Sequence, residues 1–415
     1  MTLPSDPTPP GPHWRIPFAS PDLPDPRSLL PDIEAILTSG MLTKGCQVAR
    51  FEDDARRVLG VDHVVAMSSC TTALALTLRC LSVAVERRLS GCCGCDRCTV
   101  PRSRVRVGDD HRDEVVLPSF IFLAAPAAVV WAGLKPIFVD VDPDDFTIHP
   151  EAVEAAITPR TAAILACHTF GCPCDLDALE RISAGSGVPL VVDAAHGLGA
   201  KHRGTQVGRQ GFAQVFSLSP TKLVVAGEGG LVATSCRCLA DLLRRGREYG
   251  NDGAYGCELA GLNARLPEIS ALIGRASLAR LDVVAQRRQD AAQAYRDALA
   301  DVAGLGMQRI RDSDESSWKD FSITIDPQAC GLSRDDLRLA LAARGIDTRA
   351  YYAPPCHRMQ AFRDAAQPGL PTTDRLAATS LSLPMGAHVT PDVARGIARD
   401  VRAAMPTAAG ATSHT

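Results

Sequence analysis

Hydrophobic and polar positions along the first half of the chain predict strands and helices in turn. Two amphipathic stretches, Leu30 to Leu37 and Val48 to Leu59, predict helices, and each is followed by a glycine suited to a helix C-terminus. Short apolar runs then predict buried strands, with helical patterns between most of them. These runs are His63–Met67, Glu114–Leu117, Pro136–Val141, Ala162–Cys167 and Pro189–Asp193. The order predicts an α/β fold with a mostly parallel sheet covered by helices.

The pattern changes after two further apolar runs, Val215–Ser217 and Gly230–Thr234. The Ala/Leu/Arg-rich stretch from Ala264 to Leu299 predicts one long connecting helix. A smaller α/β domain is expected beyond it, built from a strand and two helices: Asp320–Ile325, Arg334 to Arg344 and Pro391 to Ala404. The predicted organisation is an N-terminal arm at 1–28, a large domain at 29–275 with an insertion at 81–113, a small domain at 276–405 and a tail at 406–415.

Composition narrows the function classes. The chain has 415 residues, 46% of them hydrophobic, and a formal net charge of −3. This near-neutral balance argues against general nucleic-acid binding, which shows as a basic excess. No apolar run approaches the roughly 20 residues that a membrane helix needs, and the proline-rich start does not match an export signal. We therefore expect a cytoplasmic protein without a membrane partner, whose 15 cysteines are reduced thiols or metal ligands.

One lysine lies in a setting that suits an amine nucleophile. Lys222 stands in FSLSPTKLVVAGEGG, between small hydroxyl residues and a glycine-rich turn, in mostly apolar surroundings. Burial disfavours the charged form of a lysine, and a neutral amine can attack an aldehyde to form a Schiff base. The alternative is an ordinary solvated lysine in a loop.

Two other segments are candidate partners of this lysine. Asp193 ends the apolar run PLVVD, where a carboxylate opens onto the crevice in which parallel sheets bind ligands. It could pair with a protonated pyridine nitrogen, and His196 could reach a ring hydroxyl. The stretch Met67–Leu76 opens a helix with small hydroxyl residues, so its free N–H groups suit a phosphate. Helix capping is the alternative role for these residues.

The motifs occur together in a familiar order. SSCTTAL, DEVVLPSFIFLA, VVDAAH and FSLSPTK are followed by GLNARLPEISALIG, WKDF, GIDTRAYYAPPCH and LSLPM. From about Ile16 to Ala404 the chain resembles the DegT family of sugar aminotransferases, which depend on pyridoxal 5'-phosphate (PLP) and have the fold type I architecture. The resemblance implies a large PLP-binding domain, a smaller C-terminal α/β domain and a homodimer with shared active sites.

The resemblance also implies roles for individual residues. Lys222 is the Schiff-base lysine and proton shuttle, Asp193 pairs with the pyridine nitrogen, and His196 lies near the ring hydroxyl. Phe122 lies on the cofactor face, with Phe120 as an alternative. The remaining cofactor contacts are to the phosphate, from Ser217, Thr71, the backbone at Cys70 and, from the neighbouring subunit, Asn263. Cys70 stands where this family often has glycine, a mild departure if the backbone binds the phosphate.

The implied reaction moves an amino group from a donor such as glutamate to a nucleotide-linked keto sugar. In the second domain, four residues are candidates for sugar or diphosphate contacts, although structural roles are as well supported: Arg349, Tyr351, Tyr352 and His357. An aminotransferase that acts on a cyclitol or another natural-product ketone is an alternative. A regulatory protein that uses this fold to bind a metal or a partner is another, and the intact Lys222, Asp193 and Ser217 argue against it.

The insertion is not expected from the family resemblance. It contains GCCGCDRC, in which Cys92, Cys95 and Cys98 have C-x2-C-x2-C spacing. Three thiolates at this spacing suit an iron–sulfur cluster or, with a further ligand such as Cys93 or His111, a zinc ion. A thiol-rich surface loop without metal is the alternative. In either case the insertion is expected to be dispensable for transamination.

Overall fold

A computed structural model describes residues 14–89, 112–257, 259–363 and 369–406. Its strands, in chain order, are β1 (His63–Met67), β2 (Glu114–Pro118), β3 (Lys135–Val139), β4 (Thr161–Cys167), β5 (Leu190–Asp193), β6 (Lys201–His202), β7 (Thr205–Gln206), β8 (Ala213–Ser217), β9 (Gly230–Thr234), β10 (Leu305–Met307), β11 (Asp314–Glu315), β12 (Phe321–Ile325) and β13 (Ser380–Leu383).

Helices fill most of the intervals between these strands. They are α1 (Leu30–Ser39), α2 (Cys46–Leu59), α3 (Cys70–Leu89), α4 (Ala124–Trp131), α5 (Pro150–Ala156), α6 (Leu176–Ser186), α7 (Arg237–Gly246), α8 (Glu268–Leu278), α9 (Leu281–Leu299), α10 (Pro327–Cys330), α11 (Arg334–Ala343), α12 (Pro371–Thr379) and α13 (Pro391–Ala404). Within the four described stretches, no helix is both long enough and apolar enough to cross a membrane.

A seven-stranded sheet organises the first part of the chain, in the order β1-β9-β8-β5-β4-β2-β3. Only β9 runs antiparallel to its neighbours. The other six strands are parallel, so their carboxyl ends share one edge of the sheet, where such folds place their ligand crevice. The predicted α/β fold with a mostly parallel sheet is confirmed.

The sheet is buried on both faces because its strands are apolar at successive positions. In β2, Val115 and Leu117 pack into one hydrophobic core and Val116 packs into the other, on the opposite face. This alternation follows from the two-residue period of a strand. With a core on each face, the polar groups at the carboxyl edge are the ones that remain available to a ligand.

A second sheet, in the order β10-β12-β13, forms the centre of the smaller C-terminal part. It shares its core with α9, α11 and α13, and the ring of Tyr295 stacks on Phe321 with a centroid distance of 4.7 Å. The chain near the N-terminus joins this part, because Ile16 forms a parallel bridge with Ile346. The predicted smaller C-terminal domain is thus present, with the start of the chain attached to it.

The predicted connecting helix is divided in two, which corrects the sequence prediction. Residues 264–267 are not helical, and α8 ends before Ala279 and Arg280. Helix α8 packs against α2, whereas α9 packs against α13, so the two halves serve different parts of the molecule. The predicted boundary at residue 275 falls inside α8.

Two further differences concern short segments. Helix α3 continues to Leu89, so the first residues of the predicted insertion belong to a regular helix. A third small sheet, in the order β11-β6-β7, pairs Asp314 with His202 and ties the two parts of the chain together. Its two-residue strands are too short to leave a periodic pattern in the sequence.

Candidate active site

Polar residues collect at the carboxyl edge of the seven-stranded sheet. Asp193 ends β5, Ser217 ends β8, and Cys70 opens α3 directly after β1. The loop after β8 carries Lys222. A small cavity lies here, lined by Ala195, His196, Leu198, Ser217, Lys222, Leu223 and Lys319. The structure therefore brings together three of the residues singled out in the sequence, Lys222, His196 and Ser217.

The Lys222 loop is closed by its own backbone. Lys222 N–H donates to the Ser219 carbonyl at 3.0 Å, and Ala226 N–H donates to the Leu218 carbonyl at 2.8 Å. Residues 223–226 are buried, which holds the lysine in apolar surroundings. Burial, assisted by repulsion from Lys319, lowers the pKa of Lys222 to about 8. A substantial fraction of the amine is therefore neutral near physiological pH.

Asp193 is a buried carboxylate, with 4% of its surface exposed. Its Oδ1 accepts a hydrogen bond from Ala195 N–H at 3.0 Å. Burial raises its pKa to about 6, despite that hydrogen bond and the nearby Lys222 charge. A carboxylate with a raised pKa gains by meeting a cation, and a protonated ring nitrogen would supply one.

His196 is the buried histidine of the same turn. Its carbonyl accepts a hydrogen bond from Ser317 Oγ at 2.6 Å, which fixes the main chain. Its Nδ1 has no hydrogen-bond partner among the residues that the structure describes. Burial, together with the charges of Lys222 and Lys319, holds its pKa well below the usual range. The ring is therefore a neutral imidazole, and its Nδ1 can form a hydrogen bond with a ligand.

The start of α3 offers N–H groups to an anion. The first turns of a helix leave N–H groups without intrahelical partners. Gly230 permits β9 to lie close to this turn, because a Cβ there would stand 2.7 Å from the Ser69 carbonyl oxygen and 2.8 Å from Cys70 N. Ser217 Oγ, at the end of β8, donates to Ser219 Oγ at 3.4 Å in the loop that follows. Together, Cys70, Thr71 and Ser217 suit a phosphate.

The two candidate phenylalanines have different surroundings. Phe120 is fully buried and makes edge contacts with the rings of Phe146, Phe170 and Tyr352 at centroid distances of 5.2 to 6.4 Å. Phe122 is 49% exposed. Since Phe120 is already surrounded by other rings, Phe122 is the better candidate for the cofactor face.

Comparison with known proteins decides the family. The model of the DegT/DnrJ/EryC1/StrS aminotransferase family matches residues 27–90 and 98–402. The chain belongs to this family.

Individual relatives cover most of the chain. It is 37% identical to the erythromycin biosynthesis sensory transduction protein EryC1 of Saccharopolyspora erythraea. That match covers 313 residues, which are 75% of this chain and 83% of EryC1. It is 34% identical over 360 residues, 86% of each chain, to the dTDP-3-amino-3,4,6-trideoxy-alpha-D-glucose transaminase of Streptomyces venezuelae. The structure of DesI in the presence of its TDP-sugar product matches with a TM-score of 0.82, at 33% identity, over 94% of this chain and 92% of that one.

The site fits the cofactor of this aminotransferase family, PLP. The fit rests on a half-buried lysine whose amine has a lowered pKa, a buried carboxylate with a raised pKa and an imidazole whose Nδ1 lacks a partner among the described residues. These groups match an aldehyde, a protonated ring nitrogen and a ring hydroxyl. The predicted PLP-dependent aminotransferase is confirmed at the level of family and reaction type.

The four predicted substrate residues of this aminotransferase fall into two groups. Arg349 and Tyr351 are accessible to solvent. Arg349 pairs with Asp347 and lies over the ring of Phe18 at 5.2 Å. Tyr352 is buried and stacks on Phe170 at 5.5 Å.

His357 is the fourth of these residues and is tied to neighbouring elements. Its Nδ1 lies 2.7 Å from Ser119 Oγ, and its Nε2 lies 3.2 Å from Asp374 Oδ1. These contacts favour a structural role for His357 and for Tyr352. Arg349 and Tyr351 stay candidates for substrate contacts.

Asn263, expected to act across a subunit interface, has an exposed side chain. Its backbone bridges to Glu248. The carbonyl of its neighbour Ala264 accepts a hydrogen bond from Ser68 N–H at 2.9 Å, so this segment lies beside the turn before α3.

The cysteines of the insertion, Cys92, Cys95 and Cys98, lie outside the described residues. In the part of the chain that the structure describes, no group of three or more His, Cys, Asp or Glu side chains could hold a metal ion. The family match is interrupted between residues 90 and 98.

Sequence reasoning missed Lys319 as a site residue. It used the motif WKDF only for the family resemblance. In the structure Lys319 is 4% exposed and lines the same cavity as Lys222. The available signal was two adjacent charged residues at the start of an apolar strand, a position where charges are rarely buried without a partner.

Proposed function

We propose that this aminotransferase moves the amino group of an amino acid, glutamate in the simplest case, onto the keto group of a nucleotide-linked sugar in natural-product biosynthesis. The observation that carries the proposal is the Lys222 amine, with its lowered pKa, at the same carboxyl edge of the sheet as the buried Asp193 carboxylate. Two relatives, a dTDP-aminosugar transaminase and DesI, whose structure was determined in the presence of its TDP-sugar product, support this substrate class.

Each residue has a separate task in this proposal. PLP, when bound, supplies an electron sink that stabilises negative charge at the reacting carbon. Lys222 Nζ attaches the cofactor and, once released, takes a proton from the donor carbon and, in the second half of the reaction, gives a proton to the carbon that is aminated. Asp193 keeps the ring nitrogen protonated, and the open Nδ1 of His196 meets the ring hydroxyl. Ser217, Thr71 and the backbone at Cys70 hold the phosphate.

A homodimer with shared sites is part of the proposal. The surface around Phe122 and α4 exposes large apolar side chains: Phe122 and Leu123, with 49% and 48% exposure, and Val130 and Trp131, with 48% and 79%. Exposed large apolar side chains at the two ends of one short helix suit a protein interface. The exposed Asn263 would then reach the phosphate of the partner subunit's site.

Product analysis with a panel of acceptors tests the proposed function. Purified enzyme, PLP and glutamate are incubated with dTDP-linked 3-keto and 4-keto deoxysugars and with a cyclitol ketone, and products are identified by mass. We expect an aminated nucleotide sugar. Amination of the cyclitol alone would favour the alternative acceptor, and 2-oxoglutarate absent from every reaction would contradict a glutamate donor.

The possible metal site at the insertion rests on the sequence spacing of Cys92, Cys95 and Cys98. We propose that zinc or an iron–sulfur cluster, if bound there, has no part in the transamination chemistry, because the cofactor residues all lie elsewhere. Replacing the three cysteines with serine should abolish bound metal and spare the reaction with glutamate. A variant that keeps PLP and its fold but cannot react with glutamate would place the insertion in the active site.

A further inference from the structure

A second lysine lines the same small cavity as Lys222. The side chain of Lys319 is 5% exposed, and it lines the cavity together with Lys222, His196 and Ser217. It comes from the segment that leads into β12, whereas Lys222 comes from the loop after β8. Two amine-bearing side chains from different parts of the chain therefore meet in one small space.

Lys319 is held in a fixed position and has a counterion. Its Nζ donates to Asp320 Oδ1 at 2.6 Å, and the Asp320 side chain is 3% exposed. Arg288 Nη1 donates to the carbonyls of Trp318 at 3.3 Å and Lys319 at 3.1 Å, which fixes the backbone. Burying an ion pair costs desolvation free energy, so stability alone is a weak reason for its presence.

The two lysines differ in their partners. Lys319 has the Asp320 carboxylate, whereas Lys222 has no ion pair with any residue that the structure describes. The charged or titratable groups that face Lys222 are Lys319, Asp320, Cys70 and Asp193, with His196 across the cavity. Because both lysines border the same space, the positive charge of Lys319 disfavours a second positive charge on Lys222, which has no counterion there.

We propose that Lys319, held by Asp320, is a positioning residue that keeps the Lys222 amine in its neutral, reactive form. The proposal rests on the proposed function, in which Lys222 must be neutral to attack the cofactor carbonyl and to accept a proton. A neighbouring cation is a known means of activating an amine for Schiff-base chemistry. Lys319 itself forms no bond to the reacting atoms.

A pH titration of the visible absorbance of the PLP-loaded enzyme tests the role of Lys319. This absorbance reports the proton on the nitrogen of Lys222 in its Schiff base. In Lys319→Met the midpoint should move to higher pH by about one unit, a tenfold gain in proton affinity, because the repelling charge is gone. Lys319→Arg keeps the cation and should stay near the wild-type midpoint. Lys201→Met is the matched control. It removes a lysine that does not line the cavity and whose Nζ donates to Glu315 Oε2 at 3.0 Å.

A double variant keeps the test decisive if the unpaired Asp320 destabilises Lys319→Met. Lys319→Met combined with Asp320→Asn leaves no buried carboxylate without a partner. Its midpoint should lie between those of the wild type and Lys319→Met. An unchanged midpoint in a folded, yellow Lys319→Met variant, an equal change in Lys319→Arg, or a double variant below the wild type would overturn the role of Lys319. A wild-type enzyme without visible absorbance would instead contradict the proposed function itself.

Discussion

The lowered pKa of Lys222 makes a quantitative prediction about cofactor loading. Only the neutral amine attacks the PLP aldehyde, so the loading rate follows the neutral fraction. With a pKa of about 8, about a tenth of the Lys222 amine is neutral at pH 7, against about one part in three thousand for an ordinary lysine. The enzyme should therefore load PLP about 300-fold faster at pH 7 than it would if Lys222 had the pKa of an ordinary lysine.

Stopped-flow absorbance after mixing PLP with cofactor-free enzyme measures this rate. A free lysine derivative is measured in parallel, and its rate is divided by its own neutral fraction at each pH, which leaves the pH dependence due to the ionisation of PLP itself. Corrected for that ionisation, the enzyme rate should level off above pH 8. A rate that still rises tenfold per pH unit up to pH 10 would refute the assignment of a buried, easily deprotonated Lys222.

Three other predictions follow from the site. Lys222→Arg should fold but show neither visible Schiff-base absorbance nor transamination, because arginine stays protonated; a yellow, active variant would contradict this. Asp193→Asn should lower turnover by roughly 10²-fold or more while PLP content, measured after release by alkali, falls far less; wild-type turnover would mean that another group holds the ring nitrogen. Mixing Lys222→Arg with Asn263→Ala should restore about a quarter of wild-type activity if random dimers share sites, and no recovery after subunit exchange would argue for unshared sites.

The sequence predicted the sheet strands better than their surroundings. Runs such as His63–Met67 are bounded by turn residues and buried on both faces, so their limits follow from composition. The long helix was mispredicted because Ala279 and Arg280 are themselves good helix formers. The turn there is imposed by tertiary packing, including Arg280, which donates to the Leu23 carbonyl at 2.7 Å.

The candidate site was predictable where its residues follow strand ends. Asp193 and Ser217 lie there, so the parallel sheet alone brings them to one edge. Lys319 was not predictable in this way, because it enters from the second part of the chain, and its nearness to Lys222 depends on how the two parts pack. The same holds for Tyr352 and His357, whose contacts with Phe170 and Ser119 cross between elements far apart in sequence.

The small sheet β11-β6-β7 has a consequence for how independent the two parts of the chain are. Its pairing of Asp314 with His202, reinforced by the 2.8 Å contact between their side chains, anchors the segment that leads to Ser317 and Lys319. That segment supplies a wall of the cavity and the hydrogen bond to the His196 carbonyl. A shortened chain that ends with α9 would keep Lys222 and Asp193 yet have one side of its cofactor cavity open to water. The cavity beside Lys222 is therefore completed only by the C-terminal part of the chain.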